Sequence, residues 1–141
     1  MKETELRLRN YVLINGNKSI IAGINIDSVL HVELTDDVRK RKAELAELDI
    51  VKPIPLTEEL LLKCEGFKLC NGGDYSILKK YDGDDDMYYR TFRVEKRHNK
   101  KWLVCMPASA MSGYSTIEFQ YLHQLQNLYF DLTGNELEVK F

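Results

Sequence analysis

The chain has 141 residues, the length of one domain of ordinary size. Hydrophobic residues make up 44% and charged residues 30%, a composition that supports a packed core and excludes a wholly disordered chain. The 20 Lys and Arg residues and 22 Asp and Glu residues give a formal net charge of -2. Overall charge therefore gives no reason to expect general binding to nucleic acid or to membranes.

The N-terminal segment and the cysteines bear on the compartment. The chain is charged from Lys2 onward and lacks the apolar core of a signal peptide. No apolar run in the sequence reaches the roughly 18 residues that cross a bilayer. Cys64, Cys70 and Cys105 are odd in number and show no Cys-x-x-Cys spacing, so neither a disulfide framework nor a zinc site is expected. We expect a cytoplasmic protein without a cofactor or a metal.

Residues 11–14, 19–24 and 29–34 predict an antiparallel meander. Asn15-Gly16 separates the first two runs, and both residues tolerate the positive φ that a two-residue hairpin turn requires. The third run alternates apolar and polar residues over part of its length. Three short, strongly bent strands suit a small SH3-like barrel or sheet, which we expect to occupy residues 1–35.

A charged connection follows over residues 36–52. Its first part, residues 36–47, is dominated by charge and includes the run Arg39-Lys40-Arg41-Lys42. Short runs of charge are usually exposed to solvent. We interpret residues 36–47 as an exposed helix or a mobile loop.

The remaining residues, 53–141, open with a helix signal. Thr57 can accept a backbone N–H bond at the start of a helix, and Glu58 and Glu59 lie against the positive end of its dipole. Gly66 is suited to ending that helix.

Two hairpins are predicted in the middle of the chain. One pairs residues 67–70 with 75–78 across Asn71-Gly72-Gly73-Asp74, and the other pairs residues 87–95 with 101–106. The centre of the chain is therefore expected to be an antiparallel sheet.

The C-terminal part predicts a strand at residues 116–119, a helix that ends at Gly134, and a closing strand at residues 136–141. The helix is indicated by apolar residues at helical spacing: Tyr121, Leu125, Leu128, Tyr129 and Leu132. The order of strands, helix, strands, helix and strand favours a single α+β domain over residues 1–141.

A cluster of basic and aromatic residues in the second hairpin is a candidate ligand site. Tyr89, Arg93, Lys101 and Trp102 combine rings that can stack on a base with cations that can neutralise phosphate. The alternative interpretation is an exposed hairpin tip beside a core tryptophan.

The C-terminal helix offers a second candidate surface. His123 and Asn127 share a face with Gln126 and Phe130, away from the leucine stripe. This face could bind a ligand or a second subunit, and its ordinary alternative is a solvated surface. We predict a homo-oligomer, most simply a symmetric dimer, with Phe130 near the contact. The alternative is a monomer in which Phe130 folds back under the Gly134 turn.

No catalytic or metal-binding motif is found. The acidic run at residues 82–86 suggests calcium, but Met87 stands where an EF-hand loop needs glycine and Arg93 where it needs glutamate. The three histidines form no recognisable arrangement with a serine or cysteine nucleophile. We therefore expect a protein that is not an enzyme.

Three stretches carry a resemblance: LRLRNYV at residues 6–12, IPLTEE at 54–59 and, most specifically, HQLQNLYFDLTG at 123–134. With these stretches the chain resembles a group of small proteins from Bacteroidetes genomes and their phages. The resemblance brings no catalytic residues. It implies a phage or prophage protein in the cytoplasm of a bacterial host, with a role in host interaction or counter-defence.

Three functional hypotheses follow. The leading one is a non-enzymatic phage accessory protein that sequesters a nucleotide second messenger in pockets built from stacking rings and cations. The alternative is a protein–protein adaptor or inhibitor that presents a sheet edge or the segment 36–47 to a host protein. The third is a nucleic-acid-binding module, which the short basic clusters and acidic balance disfavour.

Overall fold

A computed structural model describes residues 5–69, 75–80, 88–97, 101–106 and 115–141. Within these ranges the chain forms ten strands in two five-stranded antiparallel sheets, together with two α-helices. The predicted α+β class is confirmed. The chain divides into two compact units: the first contains Met1–Pro55 and Tyr121–Gly134, and the second contains Leu56–Gln120 and Asn135–Phe141.

The sheet of the first unit has the order β4-β3-β2-β1-β5. Its strands are β1 (Tyr11–Ile14), β2 (Asn17–Ile24), β3 (Ser28–Glu33), β4 (Ala43–Glu47) and β5 (Val51–Pro53). Asn15 and Gly16 have φ angles of 52° and 82°, so the turn between β1 and β2 has the predicted left-handed conformation. The meander of β1 to β4, with β5 returning beside β1, is the strand order of an SH3-like sheet.

The prediction of an exposed helix or a mobile loop over residues 36–47 is wrong for Ala43–Glu47, which forms the strand β4. Asp37 caps a short 3-10 turn at Val38–Lys40, and Ala43–Glu47 then pairs with β3 along its whole length. Only Ala46 of β4 is buried. A strand at the end of a sheet has one neighbour, so it needs few buried residues, and the other four residues of β4 are exposed.

The core of the first unit lies on one face of this sheet. It is built from small and branched apolar side chains: Leu6, Val12, Ile14, Ile21, Val29, Ala46 and Val51. Helix α2 (Leu122–Thr133) also belongs to this unit and buries Leu122 and Leu125. Gly134 ends α2 with a φ of 73°, as predicted, because that left-handed conformation costs glycine little.

The second unit contains α1 and a five-stranded antiparallel sheet in the order β10-β9-β8-β7-β6. Its elements are α1 (Glu58–Lys63), β6 (Phe67–Leu69), β7 (Tyr75–Lys80), β8 (Tyr88–Lys96), β9 (Trp102–Met106) and β10 (Ser115–Phe119). Thr57 caps α1 by accepting a hydrogen bond from the N–H of Leu60 at 3.1 Å. Both predicted hairpins are confirmed as β6–β7 and β8–β9. Their turns and the acidic run at 82–86 lie outside the described residues.

The closing strand predicted at residues 136–141 is present as one antiparallel bridge between Cys64 and Val139. The N–H of Lys140 donates to the carbonyl of Lys63 at 2.9 Å. The ladder is short because its partner is the turn that follows α1, in which Cys64 is extended and Gly66 has a positive φ of 87°. In the described part of the chain, no helix is long and apolar enough to cross a membrane.

Candidate functional site

The cations of the predicted ligand site face carboxylates of their own chain. Arg93 Nη2 forms an ion pair with Glu95 Oε1 on the same strand. Lys101 Nζ lies 3.4 Å from Glu118 Oε2 on the neighbouring strand β10. A phosphate ligand would compete with these carboxylates for both cations.

A further ion pair lies at the end of β8, close to this candidate site in the sequence. Lys96 Nζ lies 2.7 Å from Glu58 Oε1 at the start of α1. The hydrogen bond and charge of Lys96 hold the pKa of the Glu58 carboxyl below its usual range. Burial and the neighbouring Glu58 carboxylate raise the pKa of the Tyr75 hydroxyl. These three side chains link α1 to strands β7 and β8.

Trp102 belongs to the core of the second unit. Its side chain is 1% exposed, and its indole N–H donates to the carbonyl of Leu56 at 3.1 Å. The Tyr75 ring meets it in an edge-on arrangement, with centroids 5.8 Å apart. Trp102 lies opposite Lys96 in the β8–β9 ladder, and its side chain is on the same sheet face as that of Val94. The residues of β8 that alternate with Lys96 and Val94 point to the opposite face. Its packing matches the alternative of a core tryptophan.

The structure does not bring the four predicted residues of this site to one face. Arg93 alternates with the buried Val94 and so lies on the sheet face opposite Trp102. Tyr89 is in β8, and its side chain falls outside the described part of the structure. Ligand binding by Tyr89, Arg93 and Lys101 stays a prediction.

The buried face of α2 holds the N-terminal segment. Gln126 is 1% exposed, and its Oε1 accepts the backbone N–H of Tyr11 at 2.9 Å. Its Nε2 donates to the carbonyl of Arg9 at 3.1 Å. Arg9 has a φ of 70°, a backbone conformation that residues other than glycine adopt at a cost in free energy. Gln126 therefore bonds two backbone groups where β1 begins. These bonds help to keep Arg9 in its unfavourable positive-φ conformation.

Asn127 and Phe130 extend this contact by one helical turn. Asn127 Nδ2 donates to the carbonyl of Glu5 at 3.1 Å, and its Oδ1 accepts from Asn10 Nδ2 at 2.9 Å. The guanidinium of Arg7 lies 3.8 Å from the centre of the half-buried Phe130 ring. Gln126, Asn127 and Phe130 thus contact the chain's own N-terminal segment. A dimer contact through Phe130 stays a prediction.

His123 is buried on the same helix. It is 2% exposed and stacks on Tyr121, with ring centroids 5.9 Å apart and planes inclined by 14°. Its Nδ1 has no hydrogen-bond partner within the described residues. Burial lowers the pKa of the imidazole, and the charge of Glu5 partly opposes this shift.

This burial predicts a pH dependence of stability. Because the pKa of His123 is lower in the folded chain than its ordinary value of 6.5, the unfolded chain takes up a proton first as the pH falls. The contribution of neutral His123 to the free energy of unfolding is therefore fully present above pH 6.5. It declines below that pH, by at most about 1.4 kcal/mol at pH 5.5. Urea unfolding at pH 7.5 and 5.5 should show a larger loss for the wild type than for His123→Phe. Equal losses in both proteins would contradict the prediction.

The edge of β4 lies in the segment 36–47 that the adaptor hypothesis names, where no strand was predicted. Two hydrogen bonds show which side the backbone groups face. The N–H of Leu34, just after β3, donates to the carbonyl of Lys18 in β2, and the N–H of Leu48, just after β4, donates to the carbonyl of Asp27, just before β3. Backbone groups alternate sides along an antiparallel strand. Glu44 and Ala46 therefore bond to β3, whereas Ala43, Leu45 and Glu47 direct their N–H and C=O groups away from the sheet. We call these three residues the β4 edge.

Side chains beside the β4 edge add apolar surface. Leu45 is 70% exposed and lies opposite Leu30, which in turn lies opposite Gly23. Leu30 is half-buried, and a Cβ at Gly23 would lie 3.2 Å from its Cβ. Leu45, Leu30 and Gly23 thus form a row across the sheet, and a strand added beside β4 would meet its apolar end at Leu45. At the other end of the sheet, β5 is three residues long and ends in Pro53, which has no N–H to donate.

The sequence contains a weak signal for the β4 edge. Ala43, Leu45 and Ala46 are interspersed with Glu44 and Glu47 inside the charged segment, a pattern too short and irregular to distinguish a strand from a loop. Comparison of the chain with protein-family models, curated proteins and solved structures finds no match.

Proposed function

We propose that the protein is a non-enzymatic protein–protein adaptor that binds an extended segment of a partner polypeptide at the β4 edge. The supporting observation is that β4 ends its sheet, with four of its five residues exposed and alternate backbone groups directed outward. A strand with such groups is a template for another strand. Backbone hydrogen bonds would supply affinity, and the exposed Leu45 side chain would select an apolar residue on the partner.

This proposal is better supported than nucleotide sequestration. A nucleotide pocket needs accessible rings and uncommitted cations, whereas Trp102 is core and Arg93 and Lys101 face carboxylates. Nucleic-acid binding has support from two short basic runs, Arg39–Lys42 and Lys96–Lys101, but acidic residues flank both: Glu44 and Glu47 follow the first run, and Glu95 precedes the second. Among the three functional hypotheses, the exposed β4 edge in the described part of the chain supports the adaptor.

The test uses extended peptides selected from a random display library with the full chain as bait. We expect selected peptides to slow amide exchange at Ala43, Leu45 and Glu47. Leu45→Pro removes the outward N–H while leaving the β3 ladder intact, so it should weaken peptide binding at least about tenfold. Leu45→Ala keeps that N–H and should weaken binding less.

Matched controls keep the test specific. Leu8 is an exposed leucine of the same unit outside β4, and Leu8→Ala should leave the peptide affinity unchanged. Selected peptides that bind Leu45→Pro as tightly as the wild type would refute the proposal. So would peptides whose protection falls wholly on amides outside β4.

A further inference from the structure

We propose that a second copy of this chain occupies the β4 edge when no partner strand is bound, so that two β4 strands pair antiparallel about a twofold axis at Leu45. This inference rests on the proposed function in using the same edge, and it adds a regulation: a partner strand must displace the second copy. Edge strands left open are an aggregation hazard, and a closed symmetric pair removes that hazard.

The backbone of β4 permits this pairing. With the axis at Leu45, that residue faces Leu45 of the second copy, and Ala43 faces Glu47 of the second copy. All three edge residues have outward N–H and C=O groups, so each facing pair can exchange two hydrogen bonds. The exposed Leu45 side chains then meet across the axis and cover each other.

The charges around β4 favour the antiparallel orientation. Arg41 and Glu47 both have extended backbones and lie on the sheet face that carries Leu45. Arg41 Nε and Nη2 donate to the carbonyl of Thr35, two residues past the end of β3, at 3.1 and 3.0 Å, so the guanidinium exchanges this contact for Glu47 of the second copy when the pair forms. In the proposed pair, Arg41 is the diagonal neighbour of Glu47 of the second copy, within reach of a long side chain.

The alternative orientation is unfavourable. An in-register parallel pair would place Arg41 beside Arg41 and Glu47 beside Glu47. In the antiparallel pair, Glu44 faces Ala46 of the second copy, and the one repulsive contact is the diagonal between the two Glu44 side chains. The segment is thus largely complementary to itself, basic before Leu45 and acidic after it.

Sedimentation equilibrium from micromolar to millimolar protein tests the pair. We expect a dimer that dissociates on dilution, since a contact of this size is weak. Arg41→Glu or Glu47→Arg alone should weaken it about tenfold, and the double swap Arg41→Glu/Glu47→Arg should restore it. Within one chain these two residues are about 20 Å apart along the strand, so restoration requires contact between copies.

The control separates this surface from the face of α2. Phe130→Glu should leave the β4 dimer unchanged, whereas Leu45→Pro should abolish it. A monomer at every concentration would overturn the inference, and so would a dimer that Phe130→Glu dissociates while the charge swaps leave it intact. Peptide protection at Ala43, Leu45 and Glu47 is measured separately, so failure of the dimer is distinguishable from failure of the adaptor proposal.

Discussion

Trp102→Ala is expected to lower the free energy of unfolding by about 3–5 kcal/mol. The substitution would empty the largest fully buried side chain of the second unit. It would also remove the edge-on contact with Tyr75 and leave the carbonyl of Leu56 without its indole donor. Chemical denaturation followed by circular dichroism measures the loss.

Two further variants are controls for the effect of Trp102→Ala on stability. Trp102→Phe keeps most of the buried volume and should cost less, about 1–3 kcal/mol, because the hydrogen bond is lost. Lys101→Ala changes an exposed residue and should alter stability by no more than about 0.5 kcal/mol. A Trp102→Ala protein that keeps wild-type stability would contradict the assignment of this ring to the core.

Gln126→Leu is expected to cost about 2–4 kcal/mol, although leucine is apolar and similar in size. The substitution removes the side-chain amide that bonds both the N–H of Tyr11 and the carbonyl of Arg9. It also releases the positive-φ turn at Arg9. Urea unfolding measures the change, and backbone amide exchange at Tyr11 should accelerate.

Asn127→Ala is the matched control on the next residue of α2. Asn127 is half-buried, so water can replace its contacts to Glu5 and Asn10, and the expected cost is about 1 kcal/mol. If Gln126→Leu were no more destabilising than Asn127→Ala, the account of Gln126 as a backbone partner would be wrong.

Local signals predicted much of the fold. Asn15-Gly16, Thr57 and Gly134 each impose a backbone conformation or cap that needs little tertiary context, and the structure places a turn, a helix start and a helix end there. The hairpins followed from apolar runs and their separating turns. By contrast, β4 has a single buried residue, so its pairing with β3 left little trace in the sequence.

The candidate sites were harder to predict because the same residue types serve packing and binding. Trp102 lies beside basic residues in the sequence, but strand alternation places it on the face opposite Arg93. Gln126 is polar on an amphipathic helix, and only the tertiary position of β1 shows that it bonds to Tyr11. The open edge of β4 depends on strand order, which joins segments distant in the sequence.

Residue-resolved amide hydrogen exchange of the dilute protein tests the open β4 edge most directly. Measured below the concentration at which the chain associates, the amides of Glu44 and Ala46 should be protected by β3, whereas those of Ala43, Leu45 and Glu47 should exchange rapidly. We expect this alternation if β4 is an open edge that accepts a partner strand. Slow exchange at all five amides would show that the edge is covered in the single chain, and rapid exchange at all five would show that β4 is not a strand; either result would rule out partner binding at this edge.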